Sequence, residues 1–455
     1  MNRLNTVKKT TKASRAVFFA ALMAAAFAAP FPLAAQGFGF DSDAADGAFG
    51  GSGAAVSISG EASAEMTGFV NDFARGAGAV QLGDVFLGEL NFSAETSSAA
   101  AAVNLKLAPG LVYYGEKSPV YVDEAYVRLW FGNFDVEGGL RKLAWGRADG
   151  MGPLDVVNPL DYSDLTGLSD MMNMKIARPL VHASLSLGRF SKLEGVFVPN
   201  FEPDRFAESG RWEPPQFEKL KQNFLPESIT RPDTSTLDYA QAGLRFTTTI
   251  GGAADIGAQY YYGRFTTPVV VITPPSLTQP AFAVEFVYSP YHQIGLDYAQ
   301  VVAGFNLRAE FAANITEDVT GDDAAVKNPS LAWSLGFDRD LFAGVNLNVQ
   351  CNETIRLLDG EISNPLDVEA DVDAVMTRIS VQLSKKIMRD KLELKTRALW
   401  DVESGAGLIA PAAVWTAADD ATVELSGGVF LGGDEGLFGG FHDNSFIKLA
   451  VKYTF

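Results

Sequence analysis

The sequence predicts an all-β protein, a transmembrane antiparallel up-and-down β-barrel. It reads as having about 18 strands, within a range of roughly 16–18, with short periplasmic turns and long external loops. Three observations predict this. The N-terminus has the plan of an export signal. No apolar run long enough for a membrane helix follows it. A strict period-two alternation recurs along the chain and ends on Phe455.

Residues 1–35 stand apart. Arg3, Lys8, Lys9, Lys12 and Arg15 form a basic start with no acidic residue, the apolar run Ala16 to Ala29 stops at Pro30, and Leu33-Ala34-Ala35 offers small residues for processing. This predicts a secretory signal cleaved near Ala35. Residues 36–54, rich in Gly, Ala and Asp, read as a flexible periplasmic lead-in, and 55–455 as the barrel. The whole chain carries 36 basic and 55 acidic residues, a formal charge of −19, and loss of the five signal cations deepens this to −24. That sign, with no basic stripe, argues against nucleic acid as a partner. The partners expected are outer-membrane lipid, the barrel-assembly machinery and a small-molecule solute. Cys351 is the single cysteine, so no intramolecular disulfide can hold the exported fold.

The clearest alternation is the last. Ile447, Leu449, Val451, Tyr453 and Phe455 are apolar, and Lys448, Ala450, Lys452 and Thr454 between them are polar or small. A strand with one face toward lipid and one toward a wet lumen must read this way. Tyr453 and Phe455 also look like the terminal signal that assembly machinery recognises. Turn chemistry divides the rest into strands near 55–71, 81–95, 99–108, 120–131, 134–143, 180–188, 192–199, 236–249, 254–265, 281–289, 293–315, 330–337, 343–356, 374–384, 391–401, 406–416, 422–431 and 445–455. The stretch 293–315 is taken as one long strand, because apolar residues stay on odd positions from Ala299 to Ile315. Short links then follow even-numbered strands, for example Gly132-Asn133, Gly251-Gly252 and Ser289 to His292. Long links follow odd-numbered ones, at 144–179, 200–235, 266–280, 316–329, 357–373 and 432–444, with Val402 to Gly405 the short exception.

The charged residues that the alternation places on inner faces are Glu124, Arg128, Arg245, Arg308, Glu310, Arg378, Glu393, Lys395 and Arg397. The 144–162 segment carries Trp145, Arg147, Asp149, Asp155, Asp161 and Tyr162, with Pro153 and Pro159 fixing its course. An Arg–Asp network there, with Asp149, Asp155 and Asp161 serving Arg147, would fold the loop inward. It would then either narrow the lumen or merely brace the wall. No nucleophile elbow, phosphate loop or spaced metal-ligand set is present, and His182, His292 and His442 read as ordinary strand and loop residues. No catalytic residue, metal or cofactor is therefore expected.

The runs Gly139 to Gly150, Leu154 to Tyr162, Met174 to Val181 and Leu193 to Arg205 together resemble a poorly characterised outer-membrane barrel family, filed among domains of unknown function. That family is distantly similar to alginate-export and porin-type barrels. The resemblance covers 120–205. It implies membrane location and transport, and carries no established substrate or catalytic residue. The expected function is a porin-like channel passing small molecules by size and charge. A hydrophobic-substrate transporter of the fatty-acid type is the alternative, suggested by Phe201, Phe206, Trp212 and Phe217 in a loop. A surface adhesin or structural barrel is the third.

Overall fold

Strands that alternate apolar and polar leave an edge at each side of any open sheet, and closure of the sheet on itself removes both edges. The computed structural model of the protein shows this closure. It describes residues 55–71, 80–81, 87–107, 112–113, 116–117, 120–150, 152–168, 174–276, 281–433 and 436–455. The expected signal segment and lead-in lie outside the described residues.

Eighteen antiparallel strands form the barrel: β1 Ala55–Phe69, β2 Leu87–Glu95, β3 Ala99–Leu107, β4 Val120–Phe131, β5 Phe134–Arg141, β6 Arg178–Leu187, β7 Ser191–Val198, β8 Gln241–Ile250 and β9 Ala254–Arg264, then β10 Pro290–Val302, β11 Phe305–Thr316, β12 Ser330–Asp340, β13 Val345–Arg356, β14 Val375–Ile387, β15 Leu392–Asp401, β16 Ala406–Ala418, β17 Ala421–Leu431 and β18 Phe446–Thr454. Each pairs with its sequence neighbour, and β18 pairs with β1 from Glu61↔Thr454 to Phe69↔Phe446. The amide of Phe455 donates to the Gly60 carbonyl at 2.9 Å, and its carbonyl accepts the reciprocal bond at 2.9 Å, so the last residue helps seal the seam. Val80–Gln81 adds a two-residue pairing onto β1.

Two strand assignments need correction, and they cancel in the count. The stretch 293–315 is not one strand. It is β10 and β11, joined by Ala303-Gly304 with φ of 52° and 79°. Positive φ at both central residues suits a primed hairpin turn, whose twist matches the strands it joins. Such a two-residue turn moves the outward face from even to odd positions. Ile294, Leu296 and Tyr298 point outward before it, and Leu307, Phe311 and Ile315 after it. Ala299 and Val301, apolar residues on the inward phase at the turn end of β10, hid that switch of phase. The stretch 281–289 is not a barrel strand. Ala283–Val287 pairs with Val269–Thr273 and Ile229–Thr230 in a small sheet within the loops. The short link expected at Ser289 to His292 is consequently the start of β10, and the true turn is at 303–304. The parity of short and long links survives these changes.

The outer face is apolar. Leu244 (57% exposed), Ile294 (52%), Leu296 (54%), Leu335 (56%) and Ile447 (55%) stand outward between inward polar neighbours. A continuous band of such residues is unfavourable in water and is solvated in a bilayer. The inner face alternates with it, and Arg245 (4% exposed) and Asp297 (5%) are covered from within. What covers them is a loop.

Candidate functional site: the lumen and its inward loop

The segment linking β5 to β6, residues 142–177, does not project away from the barrel. It starts beside β4 and β5, where the Glu124 carboxylate accepts from the Lys142 amide at 2.9 Å and from Arg141 Nη1 at 2.9 Å. Lys142 Nζ reaches Asp123 at 2.8 Å. Asn158 staples the two arms of the loop. Its Oδ1 accepts from the Leu143 amide at 2.7 Å, and its Nδ2 donates to the carbonyls of Arg141 (3.0 Å) and Ile176 (2.8 Å). Trp145, 5% exposed, then meets Tyr261 of β9 edge-on, with ring centroids 6.2 Å apart. The inward position opposite the indole is Gly243, where a Cβ would come within 2.8 Å of that ring.

Beyond Trp145 the chain lies on the wall formed by β8 to β13. Glu310 of β11 receives backbone N–H groups from Arg147, Ala148 (2.7 Å) and Leu154 (3.3 Å). A Cβ on Gly146 or Gly152 would come within 2.3 Å of that carboxylate, so side chains there would displace it. Arg147 donates to Asp297 at 3.2 Å and Asp255 at 3.4 Å. Asp297 also pairs with Arg245 at 2.6 Å, and Arg245 donates to Gln259 at 2.6 Å. Farther across, the Asp149 amide donates to Gln350 of β13 at 2.8 Å, and its carboxylate accepts from Arg308 Nη2 at 2.5 Å. Arg308 bridges on to Asp338 at 3.0 Å. Gln259 and Gln293 each donate to a loop carbonyl, Leu154 and Pro153 respectively, at 3.0 Å. Charge placed where water is scarce is stable only when paired and hydrogen-bonded; each charged group of this network has an opposite partner or amide donors, with Arg308 Nε the one buried donor of the network that lacks an acceptor.

The sequence candidates divide accordingly. Trp145, Arg147 and Asp149 are held against the inner wall. The partners of Arg147 are wall carboxylates, Asp297 and Asp255, and not the loop aspartates expected from sequence. Asp155 pairs with Lys175 at 2.6 Å inside the loop itself, and burial pushes its carboxyl above the usual aspartate range while the Lys175 ammonium opposes that shift. Asp161 and Tyr162 join this loop to residues 199–240. Asp161 accepts from Arg205 at 2.7 Å, and Tyr162 stacks on Phe206 with centroids 5.4 Å apart.

Among the inner-face candidates, Arg245, Arg308 and Glu310 belong to the network under the loop. Arg128 pairs with Asp135 at 2.9 Å, Glu124 with Arg141 at 2.9 Å, and Arg378 with Asp401. Arg397 donates to Gln382 at 3.0 Å. Glu393, Lys395 and Arg397 alternate with outward Leu394 and so share the inner face of β15. The seam adds pairs that sequence reasoning did not single out, Lys448–Glu65 at 2.6 Å and Lys452–Glu61 at 3.5 Å. His182 lies between Glu137 (3.1 Å) and Glu194 (3.3 Å) on the inner wall. Tyr453 (48% exposed) and Phe455 (59%) stand on the outer face, rings 6.4 Å apart.

A second feature escaped the sequence reading. At the loop end, Leu165, Leu168 and Met174 meet Trp212 and Phe441 from two other loops in one buried cluster, with the inward residues Phe69, Leu399, Leu408, Phe430 and Phe446. The Trp212 ring sits 5.6 Å from Phe430, 5.7 Å from Phe441 and 6.1 Å from Phe69. The signal was the inward run Ala406, Leu408, Ala410 and Ala412 on β16, which is apolar where a wetted wall would be polar. Three loops thus share an apolar core within the mouth of the barrel.

No family model matches the chain, and no curated protein matches it. Solved structures do. The outer-membrane protein OccK9 (OpdG) of Pseudomonas aeruginosa aligns at 11% identity over 88% of this chain and 98% of that one, with a TM-score of 0.50. Wzi of Escherichia coli, a carbohydrate-binding β-barrel involved in group 1 capsule assembly, aligns at 11% identity over 88% and 84%, with a TM-score of 0.47. OmpF of Salmonella typhi aligns at 11% identity over 88% and 97%, with a TM-score of 0.39. At such identity the likeness concerns the fold alone. The chain is a closed 18-stranded antiparallel β-barrel, similar in fold to the outer-membrane barrel of OccK9.

Proposed function

We propose that the protein is a non-enzymatic, channel-type protein of the outer membrane that passes small water-soluble molecules, selected by size and charge where residues 145–158 narrow the lumen from its wall. The observation that carries this reading is the anchoring of that loop to the inner wall through Glu310, Asp297 and Gln350. A loop that enters the barrel narrows it, and fixed charges at a narrowing discriminate among solutes. Of this network, two guanidinium groups (Arg147, Arg308) and three carboxylates (Asp149, Asp255, Asp338) keep exposure to the lumen, so the narrowing favours cations. In this reading the chain is exported, loses its signal near Ala35, reaches lipid through the assembly machinery, and keeps the long loops outside. The test is planar-bilayer conductance of refolded protein under a salt gradient. Discrete channels with a cation-sign reversal potential support the reading, and absence of channels from assembled protein contradicts it.

The apolar core of the loop end favours a second reading, a transporter of hydrophobic substrates. Lack of conductance together with uptake of an apolar compound would select it.

A further inference from the structure

Described residues of the loops that follow β5, β7, β9 and β17 line a partly open cavity of about 320 Å3 at the loop end. Its wall includes Tyr162, Phe206, Trp212, Phe217, Leu220 and Phe441, and among the described residues no acidic or basic side chain lines it. That is unusual in a chain with 20% charged residues. Polar groups are few: the Tyr162 hydroxyl, Gln216 and Thr267.

The cavity is built from parts that hold one another. Tyr162 and Phe206 are brought into stack, 16° from parallel, by the short parallel pairing of Asp161–Tyr162 with Arg205–Phe206. Phe217 stands edge-on to Phe206 at 5.7 Å and 87°. Phe217 and Leu220 belong to helix α1, Pro215–Asn223, which the Pro214-Pro215 pair starts at a fixed angle. The Arg205–Asp161 ion pair locks the base of the stack at 2.7 Å.

We propose that this cavity is a binding site for a neutral aromatic molecule of one or two rings. Size supports the class. An apolar cavity of about 150 Å3 takes a benzene, so this one has room for two fused or linked rings. Chemistry supports it as well. Flat ring walls offer stacking and edge contacts to another ring. A charged ligand would lose its hydration against a wall that supplies no counter-charge. The volume is that of small-molecule sites lined by rings with a few polar groups to set orientation. A ring lying against these walls gains dispersion contacts with each side chain it touches.

The proposal does not depend on the channel reading, and the two fail separately. The test uses the full protein in lipid nanodiscs, with 2-naphthol as probe, saturation-transfer NMR as readout and empty nanodiscs as blank. Saturable binding above the blank is expected. Leu220→Trp, which fills the space, and Leu220→Glu, which charges it, should each weaken that binding at least tenfold. Leu220 is on a partly exposed helix face, and heat-modifiable migration in a gel checks that both variants remain barrels. Equal signal from wild type and both variants, or none above the blank, overturns the proposal. Tighter binding of benzyltrimethylammonium than of naphthol also overturns it, because the site would then be a cation cage. Wild-type conductance is recorded on the same preparation, and channels without naphthol binding would refute this site while leaving the channel reading intact.

Discussion

The Glu310 carboxylate accepts the amide of Ala148 at 2.7 Å, across 162 residues of sequence, and ties a loop rooted on β5 to the inner face of β11. The same carboxylate receives the amides of Arg147 and Leu154, so one side chain fixes the course of the loop at three points.

Replacing Glu310 by alanine should therefore loosen the loop while leaving the barrel closed. Hydrogen bonds to a charged acceptor contribute about 1.5–3 kcal/mol each, and the freed amides would be rehydrated only in part. Single-channel records of Glu310→Ala should show more frequent current fluctuations and a higher mean conductance than wild type. Identical records would mean that the carboxylate does not hold the loop in the membrane.

The buried pair Arg245–Asp297 gives a stability prediction. Removing the arginine alone leaves a carboxylate covered by the loop, with Arg147 at 3.2 Å as its remaining cation. Breaking a buried pair costs about 3–5 kcal/mol, and the Arg147 contact places this case at the lower end. Arg245→Met should lower the temperature at which the folded band is lost in detergent. The double variant Arg245→Met/Asp297→Asn should recover a substantial part of that loss. A double variant no better than the single one would show that the charge itself was not the problem.

At the seam, Leu449 and Val451 face outward with 38% and 47% exposure, on the side assigned to lipid. A cation at mid-membrane costs about 2–4 kcal/mol and an acid less. Leu449→Asp/Val451→Asp, or deletion of Phe455 with its two bonds to Gly60, should leave protein in the periplasm without heat-modifiable migration. Normal assembly of these variants would contradict the placement of β18.

Residues 199–240 carry α1 and exposed side chains such as Leu225 (65%) and Leu237 (72%). In a Cys351→Ser background, a cysteine placed at Glu227 should react with a membrane-impermeant maleimide on intact cells. Reaction only after the membrane is opened would reverse the orientation of the barrel.

Much of the barrel was legible in the sequence, because period-two alternation and turn residues are local signals. The end of β18 and the Gly132-Asn133 and Gly251-Gly252 turns lie where those signals place them. The hairpin at Ala303-Gly304 was misread because Ala299 and Val301 fall at a strand end, where the alternation is weak. The 281–289 segment was misread because a loop strand has the same pattern as a barrel strand, and only its partners differ. In the lumen, the density of Gly, Pro, Arg and Asp in 144–162 marked an inward loop, but its partners lie on strands that are distant in sequence. Glu310 could be seen as an inward charge, whereas Asp297 falls on the phase that the single-strand reading of 293–315 turned outward, and the distance of either from Arg147 depends on how the barrel closes. Trp212 and Phe217 registered as apolar loop residues. The common core of Trp212 with Phe69, Leu408 and Phe441 follows from three loops meeting inside one mouth.

The central claim is that residues 145–158 fold into the lumen and lie along its wall as far as β13. Asp149 of the loop accepts a hydrogen bond from Asn348 of β13 at 2.5 Å, which makes this pair the most direct place to measure it. Asp149→Cys and Asn348→Cys are combined in the Cys351→Ser background, and the assembled protein in membranes is treated with a short bifunctional thiol reagent. The predicted result is an internal cross-link in high yield, with single-channel conductance close to that of the untreated protein, because the loop is already in place. No cross-link, with the thiol introduced in place of Asp149 freely labelled from outside intact cells, would contradict the claim.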